Sequence, residues 1–210
     1  MKKSNLLERL GVISIFLVVM PACLILAGCA KSGSPDAVSG ATKPAQAQLP
    51  PLGDTYEILG WRDGIKGCVI KYNAMLVRGG EISSEAGIEY LSGLGVKTII
   101  SIVPSAQAKR WAEKRGMRYL ELPFPKGSIS DETIVKYRGF LDANSAPFYV
   151  HCHGGTQRGG ILAVYYRIHK EGWDFNRAAV EFGTLGGDLM NSHTMLQSIR
   201  NPTPSADGAK

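Results

Sequence analysis

The chain has 210 residues, 44% of them hydrophobic and 20% charged, with a formal net charge of +6. That length suits one domain with a proper core plus flanking segments, and so mild a basic excess does not by itself argue for nucleic acid. Four cysteines without CxxC or Cys/His ligand spacing point to neither a zinc site nor a disulfide framework, and no internal repeat is visible.

Residues 1–28 read as an export signal. Lys2, Lys3 and Arg9 give a positive start, and Gly11 to Leu26 is an almost unbroken apolar run. The run closes on Leu26-Ala27-Gly28-Cys29, which resembles the lipobox of bacterial lipoproteins. The resemblance implies cleavage before Cys29 and diacylglycerol on its sulfur. An uncleaved anchor is the alternative, because the run is only slightly short for a bilayer span. Both readings place the remainder outside the cytoplasm on a membrane, facing the periplasm in a Gram-negative cell. Ala30 after Cys29 resembles the outer-membrane sorting pattern. Loss of the signal removes three basic residues and Glu8, leaving 21 basic against 17 acidic.

Residues 29–54 are rich in Gly, Ser, Pro and Ala and read as a flexible tether that would span roughly 25–30 Å as a random coil. Residues 55–201 form the body, and 202–210 a frayed tail. A lipidated Cys29 leaves Cys68 and Cys152 in an oxidising setting, where a disulfide between them is conceivable as an off-switch. An unpaired, buried Cys68 is the plainer expectation.

Within the body, β-type runs alternate with helical ones. Cys68 to Lys71 and Ala74 to Val77 read as strands around Tyr72-Asn73. Ser83 or Ser84 caps a helix through Leu94, and 96–103 is the strongest strand signal. Ala106 to Arg115 reads as a helix and Arg118 to Leu122 as a strand. Ser130 caps a helix from Asp131 to Leu141, with Asp131 and Glu132 in its first turn. Phe148 to His151 is a short buried strand, followed by helices over 159–171, from Asp174 to Phe182, and from Leu189 to Ile199. This alternation predicts a three-layer αβα fold with a mainly parallel central sheet. Ligands in such sheets bind beyond the carboxyl ends of strands, where Cys152 falls.

His151-Cys152-His153-Gly154-Gly155-Thr156-Gln157-Arg158 is the segment that carries chemistry. A cysteine and an arginine six positions apart, with glycines between them and a helix behind, suit a loop wrapped around phosphate. The helix N-terminus and converging backbone N–H groups lower a thiol's pKa and bind an anion. Arg158 adds a bidentate contact to two phosphate oxygens, and the same contacts stabilise the transferring phosphoryl group. The expected product is a phosphocysteine that water hydrolyses, with no metal or cofactor required.

His151-Cys152-x-x-Gly155-x-x-Arg158 resembles the signature of the cysteine-based protein tyrosine and dual-specificity phosphatases. The likeness continues through Ala163 to Arg167, Glu171-Gly172-Trp173, Val77-Arg78-Gly79-Gly80 and Gly95-Val96-Lys97-Thr98. It is greatest to the compact bacterial dual-specificity-like branch and covers about 74–199. It implies Cys152 as nucleophile, Arg158 as phosphate clamp, His153, Gly154, Gly155, Thr156 and Gln157 as the cradle, and His151 as a brace for the loop.

Two positions depart from the family. Gly159 stands where a Ser or Thr hydroxyl usually helps the thiolate leave, which implies slower hydrolysis of the phosphoenzyme. The loop Pro123-Phe124-Pro125-Lys126-Gly127-Ser128, where the family's acidic residue is expected, holds Lys126 and no acid. Asp131 is the nearest candidate general acid, beside its plainer role as a helix cap.

The expected activity is hydrolysis of phosphate monoesters, on phosphotyrosine proteins or small phosphate esters, by a monomer that binds no nucleic acid. Alternatives are a weakened or inactive phosphate-binding module on the same fold and, more distantly, rhodanese-like sulfur transfer. The basic cluster of Lys109, Arg110, Lys114, Arg115 and Arg118 around Trp111 reads as a solvated helix face, with a surface for anionic lipid or an acidic substrate the alternative. Arg78 reads by default as a surface or ion-paired arginine, with reach to the site rim the alternative, and Trp61 and Trp173 read as packing anchors.

Overall fold

The computed structural model describes residues 55–200. The segments expected to be an export signal, a lipidated Cys29, a tether and a 202–210 tail lie outside the described residues.

Six strands form one sheet in the order β1-β2-β3-β6-β4-β5. They are β1 (Glu57–Arg62), β2 (Ile65–Lys71), β3 (Leu76–Gly79), β4 (Thr98–Ser101), β5 (Arg118–Glu121) and β6 (Phe148–His151). The first three are antiparallel neighbours, whereas β3, β6, β4 and β5 run parallel. The helices are α1 (Glu85–Gly93), α2 (Ala106–Lys114), α3 (Asp131–Ala143), α4 (Gln157–His169), α5 (Phe175–Thr184) and α6 (His193–Arg200).

Successive strand residues face opposite sides of a sheet, and that alternation divides the core in two. Ile70, Leu76, Ile100 and Val150 join Ile134 and Tyr137 of α3, Ile161 and Leu162 of α4, Phe182 of α5 and Leu196 of α6. Val69, Val77, Ile99 and Tyr149 pack instead against Ile88 and Leu91 of α1 and Ala108 and Ala112 of α2. The expected three layers and mainly parallel sheet are present.

Ser130 and Asp174 cap α3 and α5 as expected. Ser130 accepts the Thr133 amide at 3.2 Å, and Asp174 accepts those of Asn176 and Arg177. Strand β1 is an addition to the expected elements. Its bulge at Gly60, with φ of 82°, breaks the period-2 pattern by which a strand is read. The Asp63-Gly64 turn to β2 is the signal that marks this hairpin. Trp61 on β1 is 76% exposed, so it is not a packing anchor. Trp173 does pack, between the guanidinium groups of Arg167 and Arg177. Around Trp111, Lys109, Lys114 and Arg115 pair with Glu121, Glu85 and Glu89 on the surface.

Candidate active site

Strand β6 lies between β3 and β4, in register with Gly79 and Ser101 opposite His151. The chain therefore leaves the middle of the sheet at its carboxyl edge, and Cys152 is the first residue beyond it. Cys152 is buried at 4% exposure, and both it and Cys68 are free thiols. The turn that follows needs glycine. Gly155 has φ of 79°, and a Cβ there would lie 2.4 Å from the Gly79 carbonyl carbon. Gly80 is as constrained, since its Cβ would meet the Lys66 carbonyl oxygen at 1.7 Å. The two glycines of Val77-Arg78-Gly79-Gly80 thus form a backbone shelf against which the loop is pressed.

Helix α4 starts at Gln157, two residues earlier than the sequence suggests, so Arg158 sits in its first turn. The reason is local: Gly155 completes the turn, and Thr156 is already in the right-handed helical region. Thr156 gives no side-chain cap, and its carbonyl accepts the Gly160 amide at 3.0 Å. The amides before Gly160 belong to the set a helix cannot satisfy internally, which favours an anion at this end.

Arg158 Nη1 donates to the Phe124 carbonyl at 3.0 Å, tying the clamp to the 123–128 loop. Arg78 is where the sequence expectation fails. It is 1% exposed and donates from below the site to the Thr156 carbonyl (3.4 Å) and the Leu185 carbonyl (3.2 Å). These partners lie far along the chain, so no sequence spacing could reveal them. Arg78 joins the 152–158 loop to the turn after α5, and its side chain also passes 3.5 Å from where a Gly159 Cβ would lie.

His151 is fully buried, stacked on Tyr149, and burial lowers its pKa to about 4. It is therefore neutral at pH 7, with the Cys152 backbone opposing the effect of burial only in part. Tyr149 donates its hydroxyl to the Gly80 carbonyl at 2.7 Å, bracing the shelf from beneath.

A cleft of about 360 Å³ opens over the loop. Cys152, His153, Gly154, Thr156, Gln157 and Arg158 form its floor and near wall, with Lys126 and Gly127 on one side. Asp188, Asn191, Ser192 and Met195 also line it. This last wall was not anticipated from the sequence. It is fixed by Gln157, whose Oε1 accepts the Asp188 amide at 3.0 Å and the Ser192 hydroxyl at 2.9 Å. The Asp188 carboxyl is held below its usual range first by the Asn191 amide and then by the Asn191 side chain. Asp131 is an exposed residue at the start of α3 and does not line the cleft. His153 does, and its Nδ1 lies 2.8 Å from Glu81 Oε2. Among the described residues, no cluster of His, Cys, Asp and Glu could hold a metal ion.

The arrangement places a buried thiol at the base of an amide-lined turn, a guanidinium in the helix that follows, and a cleft of ligand size above them. It can hold a tetrahedral dianion against a sulfur nucleophile.

No family model matches the chain. Over 102 residues it is 31% identical to the dual specificity protein phosphatase TpbA of Pseudomonas aeruginosa, a match covering 48% of this chain. The chain spans just under half the length (46%) of that curated relative. The crystal structure of P. aeruginosa TpbA superposes with a TM-score of 0.54 at 26% identity, over 67% of this chain and 86% of that one. A TpbA variant solved in complex with pTyr gives 0.55 at 24% identity, with the same coverage. The core catalytic domain of a PP-IP phosphatase from S. cerevisiae, in complex with citrate, gives 0.51 at 16% identity over 62% of this chain and 82% of that one.

Proposed function

We propose that this chain, which is similar to a bacterial dual-specificity phosphatase, belongs to that branch of the cysteine-based phosphatases and hydrolyses phosphate monoesters through a phosphocysteine at Cys152. The observation that carries this reading is the Cys152–Arg158 turn at the carboxyl edge of the sheet, closed by Gly155 and opening into the 360 Å³ cleft. Phosphate binds with its oxygens toward the backbone N–H groups of 153–158 and the Arg158 guanidinium. The Cys152 thiolate attacks phosphorus in line with the leaving oxygen, the S–P bond forms, and the P–O bond breaks. Water then attacks phosphorus and the thiolate departs. The fixed donors act most strongly on the charge spread over the equatorial oxygens in each transition state.

Phosphotyrosine and other aryl phosphates are the substrate class. The cleft is of ligand size, with Met195 among its apolar lining, and TpbA has been solved with pTyr. The lipobox-like Leu26-Ala27-Gly28-Cys29 supports export and a lipid on Cys29, which would hold the enzyme at a membrane outside the cytoplasm. Metabolic labelling with a fatty acid, and its loss in Cys29→Ala, tests the anchor.

For the activity, the full chain in detergent under reducing conditions is assayed on an aryl phosphate. Turnover that Cys152→Ser abolishes supports the reading, and a rate that Cys152→Ser leaves unchanged overturns it.

A further inference from the structure

Departure of the leaving group calls for a proton, and the 123–128 loop supplies no carboxyl group. We propose that His153, positioned by Glu81, is the general acid and base of this site. The inference rests on the phosphatase reading above and assigns a group that reading lacks.

Three side chains other than Cys152 and Arg158 line the cleft and can exchange a proton: Lys126, His153 and Asp188. Asp188 is kept ionised by the Asn191 amide, so it enters the reaction with no proton to give. Of the other two, His153 offers a ring nitrogen that can both give and take a proton, and histidine is the side chain most often used for proton transfer to or from a reacting group.

The geometry sets the tautomer. Glu81 is held ionised first by its hydrogen bond to Lys66, at 2.9 Å, and also by that to His153. A carboxylate only accepts, so Nδ1 of His153 carries the hydrogen in the 2.8 Å contact. Nε2 is left as the ring nitrogen without a hydrogen, on a residue that lines the cleft. The backbone fixes the pair as well. The Glu81 amide donates to the His153 carbonyl at 3.0 Å, and the Lys66 amide donates to the Glu81 carbonyl at 2.9 Å. As an ion pair the contact contributes little stability, since the His153 side chain is 67% exposed. Its consequence is a histidine of defined orientation beside the nucleophile.

In the first step Cys152 Sγ bonds to phosphorus, and the P–O electron pair leaves with the departing oxygen. That oxygen takes the proton from His153 Nε2 and leaves as the alcohol or phenol. In the second step neutral Nε2 takes a proton from water as the water oxygen bonds to phosphorus. The S–P bond breaks, thiolate is restored, and His153 is again protonated. Glu81 remains a carboxylate throughout. The charged and titratable groups around His153 are Glu81, which pairs with the ring, Lys66, which pairs with Glu81, and Cys152, Arg158, Lys126 and Asp188, which line the same cleft.

The test uses the full chain in detergent with aryl phosphates of graded leaving-group pKa. His153→Gln is expected to slow the poorest leaving groups by about 100-fold, the low end of what a general acid supplies. It is expected to affect the best ones far less, and to flatten the alkaline limb of kcat/KM. Glu81→Gln keeps the ring but removes the carboxylate that fixes Nδ1–H, so it is expected to give a smaller loss with the same dependence on the leaving group. A purely structural Glu81 would slow good and poor leaving groups equally. Equal losses across the leaving-group series with the wild-type pH profile retained in His153→Gln would overturn the assignment while leaving the phosphatase reading intact. Wild-type turnover insensitive to Cys152→Ser would instead overturn the reading on which it rests.

Discussion

Arg158 and Phe124 are joined by a 3.0 Å hydrogen bond from guanidinium to backbone carbonyl. The proposed phosphate clamp is thereby tied to the loop that lines one side of the cleft. A lysine can supply charge at this position but neither the fork that grips two oxygens nor the same hold on Phe124. Arg158→Lys is therefore expected to lower kcat/KM on an aryl phosphate by about 10²–10³-fold, the usual loss for a transition-state donor. Steady-state kinetics at saturating and limiting substrate check this, and a loss below threefold would remove Arg158 from the chemistry.

Gly159 has room for a side chain. A Cβ there would lie 3.5 Å from Arg78 Cγ and 3.8 Å from the Cys152 amide nitrogen, both ordinary contacts. Gly159→Ser therefore fits without moving the helix and places a hydroxyl beside the nucleophile. It is expected to speed phosphocysteine hydrolysis by about tenfold, equivalent to about 1.4 kcal/mol of barrier. Rapid-quench measurement of the second step reads the change directly, and an unchanged or slower step would show that the missing hydroxyl is not what limits turnover.

Gly155 behaves in the opposite way. Its positive φ and the 2.4 Å approach to the Gly79 carbonyl carbon leave no space for a methyl group. Gly155→Ala is expected to destabilise the fold by about 1–3 kcal/mol and to abolish detectable phosphate binding. Denaturant unfolding and phosphate titration by calorimetry measure the two effects, and wild-type values for both would contradict the proposed packing of loop on shelf.

His151 gives the stability a pH dependence. Its pKa is about 4 in the folded chain against an ordinary 6.5, so below pH 6.5 the unfolded state binds the proton more readily. Its contribution is fully present above pH 6.5 and is lost as pH falls to about 4, by about 3 kcal/mol. His151→Phe keeps a ring against Tyr149 and cannot titrate, so its urea midpoint should fall less than that of wild type between pH 7 and 4. Parallel declines would show that His151 is not the titrating group.

Much of this site was legible because local chemistry fixes it. Cys152, Gly155 and Arg158 carry their spacing in the sequence, and Ser130 and Asp174 announce the helices they cap. The burial and contacts of Arg78 were not legible, because its partners are backbone carbonyls of Thr156 and Leu185, which are brought near only by tertiary packing. The wall at Asp188 was hidden for the same reason, being set by the Gln157 side chain. The pairing of His153 with Glu81 depends on β3 lying beside β6, a neighbourhood that strand order creates and sequence distance conceals.

The measurement closest to the central claim is intact-mass analysis of the full chain quenched early in turnover of an aryl phosphate. The account predicts one phosphoryl group on the wild-type chain, localised to Cys152, decaying at the steady-state rate and absent from Cys152→Ser. Steady turnover with no phosphoryl adduct, and an equal rate in Cys152→Ser, would contradict it.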